Sequence, residues 1–399
     1  RARAAFNMPQ VMMQPPTLRQ ALIDASQLLT TGRITPQQFG ERLEAAAAAD
    51  RLHAAHPDLV EMNHPLAGGA LLAGIAAIAA WALWRRWRGR SLPRPAEPDA
   101  YFGRMRAPVA LGFVGPAFLL YGALVLLPGA AAFGWALTRW NGLGPRAWAG
   151  LFNFKWLLFE SDVFWLALKN NLYLVVVPAL AVVPLSLLLA ALIHRGVWGR
   201  NAFRAILLFP NLLGGIAATL LWMNAYEPHG GLVNAGLAGL GRALGSRWLQ
   251  SFADYPWLAP EHLYTALIPI YLWLACGFNL VLYLAAMEGI DPQLYEAAAL
   301  DGVPVWRQFF TLTLPLIREM VAISIVFLVI GGLNAFEMIW LLTSQDPATP
   351  VNTLATLLVS TMFKDFAIGR AAAIAVVMFA LVFAASAAVM RFFRPEAVE

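Results

Sequence analysis

Two groups of polar residues stand out in a chain that is 60% hydrophobic and only 13% charged. The first is an island between two long apolar runs, Tyr295-Glu-Ala-Ala-Ala-Leu-Asp-Gly-Val-Pro-Val-Trp-Arg-Gln-Phe-Phe-Thr-Leu-Thr-Leu-Pro315. Its chemistry is contact rather than bond-making. Asp291 is a favoured helix N-cap and Pro292 fits a first turn, so Gln293 to Asp301 should form a short helix. On that helix Ala297, Ala298 and Ala299 leave a low surface that another protein can approach closely. Beside them Glu296 carries a carboxylate able to pair with a basic group on such a partner. Gly302 ends the helix, Pro304 favours a fresh start, and Val305 to Thr311 should form a second short helix bearing Trp306, Phe309 and Phe310. Leu314-Pro315 then leads back into apolar sequence. A helix, a glycine and a second helix with one smooth and one aromatic face suit insertion into a groove. The plain alternative is an ordinary amphipathic loop.

The second group lies inside apolar runs. Asn279, and Asn334 with Glu337, are its clearest members; Asn211 and Tyr283 are weaker ones. Polar side chains at such depth are costly and usually face a bundle interior or a water-filled cavity. Asn334 and Glu337 are three apart, which places them on one face if a single helix carries both. These groups can serve a pathway for a polar solute. They can equally hold helices together, at roughly 1 kcal/mol for each bond.

The elements that position both groups must be membrane helices. Ordinary soluble domains are about 45–50% apolar and about 25% charged, and a mean hydropathy of +0.62 lies far from that range. Seven runs are long enough for about 30 Å of hydrocarbon, which takes roughly 20 residues each. They lie near Leu66–Trp84, Val109–Leu127, Leu172–Ile193, Phe203–Met223, Tyr264–Ala286, Met320–Leu342 and Ala371–Met390. Pro116, Pro178, Pro184, Pro210 and Pro269 fall inside them, and neighbouring helices can satisfy the carbonyls that prolines release. Trp140, Trp165, Trp222 and Trp257 near span ends read as interfacial anchors. Cys276, alone in an apolar run, reads as a buried structural thiol.

The densest basic cluster runs from Arg85 to Arg90 and on through Arg94, Arg104 and Arg106. The bias of arginine and lysine toward the cytoplasm puts it inside. Alternation from there places the Glu296 loop and the C-terminus inside and the N-terminal segment outside. That segment, residues 1–51, reads as two helices, Thr17 to Leu29 and a second one opened by the capping box Thr35-Pro-Gln-Gln38. Residues 52–64 form a linker and 65–90 an added anchor helix. Residues 91–107 are a proline-rich cytoplasmic connector of extended type, and 108–395 hold the remaining six spans, with the polar loop at 288–318.

The loop's pattern is Glu296-Ala297-Ala298, three residues, Gly302, nine residues, Leu312, one residue, Leu314-Pro315. It resembles the cytoplasmic coupling loop of ABC-importer permeases, with Leu312 where the family usually has isoleucine. From about Pro108 to Arg394 the chain resembles the membrane subunits of carbohydrate-type binding-protein-dependent ABC importers, of the maltose and glycerol-phosphate permease kind. "GLFNFKWLLFESDVFWLALKNNLYLVV", "RAILLFPNLLGGIAATLLWMNAYEPHGGLVNAGL" and "LIPIYLWLACGFNLVLYLAAMEGIDPQLYEAAALDG" carry this likeness, as does the stretch from Leu333 to Phe379. Glu227-Pro-His-Gly-Gly231 departs from the family's usual third-to-fourth-helix loop.

The resemblance implies an all-α polytopic membrane protein, a six-helix type I importer permease core plus one extra N-terminal transmembrane helix, in a bacterial cytoplasmic membrane. It implies two permease subunits around a central pathway, a heterodimer being the expected pairing, above an ABC ATPase dimer that binds ATP and Mg. It also implies an extracellular solute-binding protein. Glu296, Ala297, Ala298, Asp301, Gly302, Leu314 and Pro315 then become ATPase-coupling residues. Asn211, Asn279, Tyr283, Asn334 and Glu337 become candidates to line the pathway of a sugar or sugar-like solute. Residues Gln20 to Ala49 resemble the last helices of such solute-binding proteins. Since the sequence starts at Arg1 with no signal peptide before the first span, this implies a binding protein fused upstream; an unrelated small extension is the alternative.

The sequence holds no Gly-x-x-x-x-Gly-Lys-[Ser/Thr] phosphate loop, so no ATP cradle of the usual kind is expected in it. Its six histidines show no metal-ligand spacing and no nucleophile has an evident base, so neither a metal nor catalysis is expected. Basic clusters sit beside spans, which argues against nucleic acid. A secondary, ion-coupled carrier would need charges deep in several helices and a repeated half; only Glu337 is a candidate and no repeat is evident. A membrane receptor would need a cytoplasmic output domain, and none follows Arg394.

Overall fold

Apolar runs in hydrocarbon must satisfy every backbone group internally, and helices do so within one segment. The computed structural model describes residues 21–22, 25–26, 28–29, 34–55, 62–88 and 107–393. Helices occupy all seven expected runs. In chain order the principal helices are α1 (Pro36–Ala55), α2 (Pro65–Arg88), α3 (Ala107–Tyr121) and α4 (Leu127–Ala136). They continue with α5 (Asp162–His194), α6 (Arg200–Leu212), α7 (Gly215–Ala225), α8 (Leu232–Leu244) and α9 (Leu263–Glu288). After these come α10 (Pro292–Leu300), α11 (Val305–Gln308), α12 (Arg318–Leu333), α13 (Glu337–Leu342), α14 (Leu354–Phe363) and α15 (Ile368–Phe392). Five described helices, or six with one bent pair, are long and apolar enough to cross a membrane. A two-residue hairpin, Thr138–Arg139 with Ala147–Trp148, is the sheet among the described residues.

Several boundaries differ from expectation. The span expected to stop at Leu127 runs to Ala136, because a π-turn over Gly122–Leu126 leads into α4 with Pro128 in its first turn, where no N–H is needed. α5 starts at Asp162 rather than Leu172, capped by the Ser161 side chain, which accepts from the Phe164 N–H. The expected continuous span Phe203–Met223 is broken: α6 and α7 meet at 95°. Gly214 lies between them at φ 77°, a conformation that glycine adopts without strain.

The expected span Met320–Leu342 is broken too, at Asn334 to Phe336. The break releases carbonyls inside the bundle, and two polar side chains take them up. Asn171 donates to the Gly332 and Leu333 oxygens at 2.7 and 3.0 Å, while Thr353 donates to Ala335 O at 2.7 Å. Asn171 also accepts the N–H of Leu354 at 2.7 Å, so one amide joins α5, α12 and α14.

The prolines expected inside helices are there, at 116, 178, 184, 210 and 269. Cys276 is buried, with its carbonyl accepting from the Ser186 hydroxyl at 3.1 Å. One apolar cluster sits at the loop end and includes Ile193, Leu284, Met287 and Ile317. Another, with Tyr226, Leu263, Leu267 and Val351, sits at the opposite end. Trp222 and Trp257 pack against the latter beside Tyr226. They serve an internal aromatic cluster rather than facing outward as simple anchors.

The capping box opening α1 is present, Gln38 N–H to Thr35 Oγ1 at 3.3 Å and Thr35 N–H to Gln38 Oε1 at 2.9 Å. α1 continues to Ala55, past the expected end at residue 51, so the linker is shorter. α2 starts against the core end opposite the loop, where His64 pairs with Asp162 at 2.7 Å and Asn63 donates to Glu160 O. The helix expected over Thr17–Leu29 lies largely outside the described residues, as does the connector at 91–106.

Candidate functional site

The loop between α9 and α12 is built as its residue types demand. Asp291 caps α10 by accepting the Gln293 N–H at 3.0 Å, and Pro292 occupies the first turn. At the other end Gly302 takes φ 72°. Its N–H bonds Ala299 O, and Val303 N–H reaches back to Ala298 O, both at 3.0 Å. That pair of bonds is the Schellman closure, which puts a glycine just past a helix end. Pro304 precedes α11 in extended conformation. The second helix is shorter than the expected Val305–Thr311: it gives way after Gln308 to a π-turn over Phe309–Thr313. Leu314 and Pro315 begin the next turn, which leads to α12.

Cross-links hold this loop in one shape. Gln308 donates to Val303 O at 2.8 Å, and the Tyr295 hydroxyl meets Thr313 Oγ1 at 2.9 Å. Arg195, at the end of α5, donates to Val305 O at 3.4 Å, and Arg204 pairs with Glu288 at 2.5 Å. Gln308 and Thr313 are buried. Glu296, Ala297, Asp301, Gly302 and Pro315 are exposed, and Ala298 and Leu314 are partly so. Among the coupling candidates Leu314 packs inward on the loop-end cluster; the others are at least partly accessible.

The polar residues within the spans divide into two places. Asn279 and Tyr283 are buried between α9 and α12. The Tyr283 hydroxyl donates to Ser324 Oγ, Ser324 Oγ donates to Asn279 Oδ1, and Asn279 Nδ2 donates to Ala275 O. Each of the four side-chain oxygen and nitrogen atoms of this relay has a partner within the subunit. Asn211, Asn334 and Glu337 instead lie exposed, where the two broken spans meet. Asn334 and Glu337 do not share one helical face, because the break separates them: Asn334 caps the end of α12 and Glu337 starts α13.

The Glu337 carboxylate lies against Gly215, close enough that a side-chain Cβ there would meet it at 2.5 Å. It thus sits at the N-terminal end of α7, where partial positive charge favours an anion. Asn211 donates to Leu274 O at 3.4 Å. Sequence reasoning missed Ser324 and Asn171. The adjacent Asn170-Asn171 pair in an apolar run was the available signal for the latter; a lone serine gives little.

No group of three or more metal-ligating side chains occurs among the described residues. Comparison with known proteins identifies the family. Residues 182–396 match the model of the family described as "Binding-protein-dependent transport system inner membrane component". The diacetylchitobiose uptake system permease protein NgcF of Streptomyces coelicolor is 32% identical over 289 residues, 69% of this chain and 80% of that protein. The alpha-glucoside transport system permease protein AglF of Rhizobium meliloti is 30% identical over 279 residues, 68% of this chain and 78% of that protein. Among solved structures, a chain of a bacterial ABC transporter involved in import of the acidic polysaccharide alginate superposes with a TM-score of 0.60 at 26% identity. That match covers 73% of this chain and 97% of the other.

Proposed function

The chain belongs to the inner-membrane components of binding-protein-dependent transport systems, and from that premise we propose that its 288–318 loop couples sugar import to ATP hydrolysis on a partner subunit. As a permease of this family it is a multi-pass component of the inner membrane and not itself an enzyme. In the proposed cycle Glu296, Ala297, Ala298, Asp301 and Gly302 enter a groove on a cytoplasmic ABC ATPase. That ATPase holds ATP and Mg, while Leu314 and Pro315 carry movement into α12. A second permease subunit completes the pathway. The named relatives handle a chitobiose derivative, an alpha-glucoside and a polysaccharide, which supports a carbohydrate as solute.

Asn211, Asn334 and Glu337 are the residues we assign to the pathway wall, since they stand exposed at the junction of two broken spans. Asn279 and Tyr283 then act as supports behind it. The loop and the C-terminus lie on the cytoplasmic side in this reading, with α1 outside. A binding-protein tail in residues 1–51 would stand on that outer side, because α2 starts at the end opposite the loop. An ion-coupled carrier is the weaker reading, with Glu337 alone as a candidate ion site.

The observation that carries the coupling role is the accessible, internally closed loop. Gly302→Pro tests it. Proline fixes φ near −65° and removes the N–H that bonds Ala299, so the Schellman turn cannot form. In proteoliposomes holding the assembled complex, uptake should fall at least about tenfold while ATP hydrolysis continues. Glu296→Lys should act in the same direction. Full-rate uptake by Gly302→Pro would remove the coupling assignment.

A further inference from the structure

A cavity of about 1010 Å³ opens between the last turns of α5 and the aromatic side of the loop. One wall is Pro184, Leu188 and Leu192; the other is Trp306, Phe309 and Phe310. Among the described residues the cationic groups on its lining are His194 and Arg195, and no carboxylate lines it. From Pro184 to Arg195 α5 rises about 16 Å at 1.5 Å per residue, which matches half of a hydrocarbon core of about 30 Å. The cavity is therefore apolar through the depth of one leaflet and cationic where headgroups begin.

We propose that this cavity is a binding site for an anionic phospholipid, with its acyl chains between Leu188 and Phe310 and its phosphate at Arg195. Three features favour lipid over a protein partner. The wall continues an exposed leucine stripe along α5, in which Leu180 is 70%, Leu188 57% and Leu192 48% exposed. Trp306, 67% exposed at the rim, is the side chain favoured at a membrane interface. The charge is of one sign, the arrangement by which basic pockets at span ends hold acidic headgroups. Arg195 has five N–H donors, and its bond to Val305 O uses one of them. A lipid seated there would touch α5 and the loop together, so its headgroup would bear on the element that couples.

The proposal rests on the loop standing beside the membrane, as the coupling reading has it, but its test is independent of ATP. A photoreactive benzoylphenylalanine replaces Leu188 in the full importer complex, held in bilayers of phosphatidylglycerol and phosphatidylethanolamine. After irradiation the intact subunit is weighed. The expected product is a phospholipid adduct enriched in phosphatidylglycerol, and Arg195→Gln should reduce that enrichment about fivefold, the worth of one cationic group near a headgroup. Leu192→Trp, which narrows the cavity beside the probe, should lower the yield of the adduct.

Cross-linking to the second permease subunit or to the ATPase would overturn the proposal. So would lipid capture with no headgroup preference, which is read in the chain carrying the probe alone and needs neither further variant. Uptake by Gly302→Pro at full rate would sink the coupling role while leaving the lipid adduct standing.

Discussion

Within the spans, whether a polar side chain is satisfied by its own subunit decides what it is free to do. Asn279, Ser324 and Tyr283 form a closed relay between α9 and α12, so Tyr283→Phe and Ser324→Ala should cost stability and little else. We expect about 1 kcal/mol for each lost interhelical bond, read as a lowered melting temperature of the solubilised complex with the apparent KM for sugar unchanged. Asn334 and Glu337 stand exposed instead, and Asn334 makes only a local bond, Nδ2 to Ile330 O at 3.0 Å. Asn334→Ala and Glu337→Gln should raise the apparent KM about 2–10-fold, as expected when a hydrogen bond worth about 0.5–1.5 kcal/mol is lost, with melting close to wild type. Equal effects on melting from both sets would refute the division. The residue types were legible from the start, as an amide or carboxylate in an apolar run is easy to see. Their sorting was not, because it depends on Ser324, which nothing in its local sequence marks, and on a helix break that lies between Asn334 and Glu337.

At the scale of elements, the two interrupted spans do most to shape the pathway region. The break that ends α12 frees backbone groups that hydrocarbon cannot satisfy, and side chains from elsewhere in the chain take them up. Asn171 serves three backbone groups around the break that ends α12. Asn171→Leu should destabilise the protein by about 1–3 kcal/mol through the polar groups it strands, with thermal melting as the readout; an unchanged melting point would show that the break is satisfied otherwise. Packing at the other broken span is equally close. A Cβ on Gly277 of α9 would overlap the Leu207 carbonyl of α6. Gly277→Val should therefore cost about 3 kcal/mol from overpacking and yield little assembled complex on size exclusion. Periodicity and hydropathy made the helices legible to within about three turns at their ends. The kinks escaped because Gly214 and the Gly331-Gly332-Leu333-Asn334 stretch are compatible with an unbroken membrane helix, where glycine is common. Only tertiary partners tip the balance.

For the whole molecule, the structure separates two ends. The loop, the start of α6 and the end of α15 share one of them, while the hairpin, α8 and the first turn of α2 share the other. In the proposed orientation, which rests on arginine placement, the loop end faces the cytoplasm. In sealed right-side-out vesicles Ala253→Cys should react with an impermeant maleimide at once, and Gln293→Cys only after the membrane is opened. The single native thiol, Cys276, is buried and should contribute little background. Reversed labelling would invert the assignment. The loop at that end was the most legible part of the chain, since capping, turn and return signals all lie within a few residues of one another. What remained hidden was its internal fastening, Tyr295 to Thr313 and Gln308 to Val303, because those contacts join residues whose types alone do not announce a bond. That fastening has a consequence for how such a protein can change over generations. A segment whose form is kept by its own residues can acquire new surface chemistry, and so a new motor, while the spans above it stay as they are. A chimera that exchanges only residues 288–318 should then inherit the donor's choice of ATPase and keep the recipient's choice of sugar.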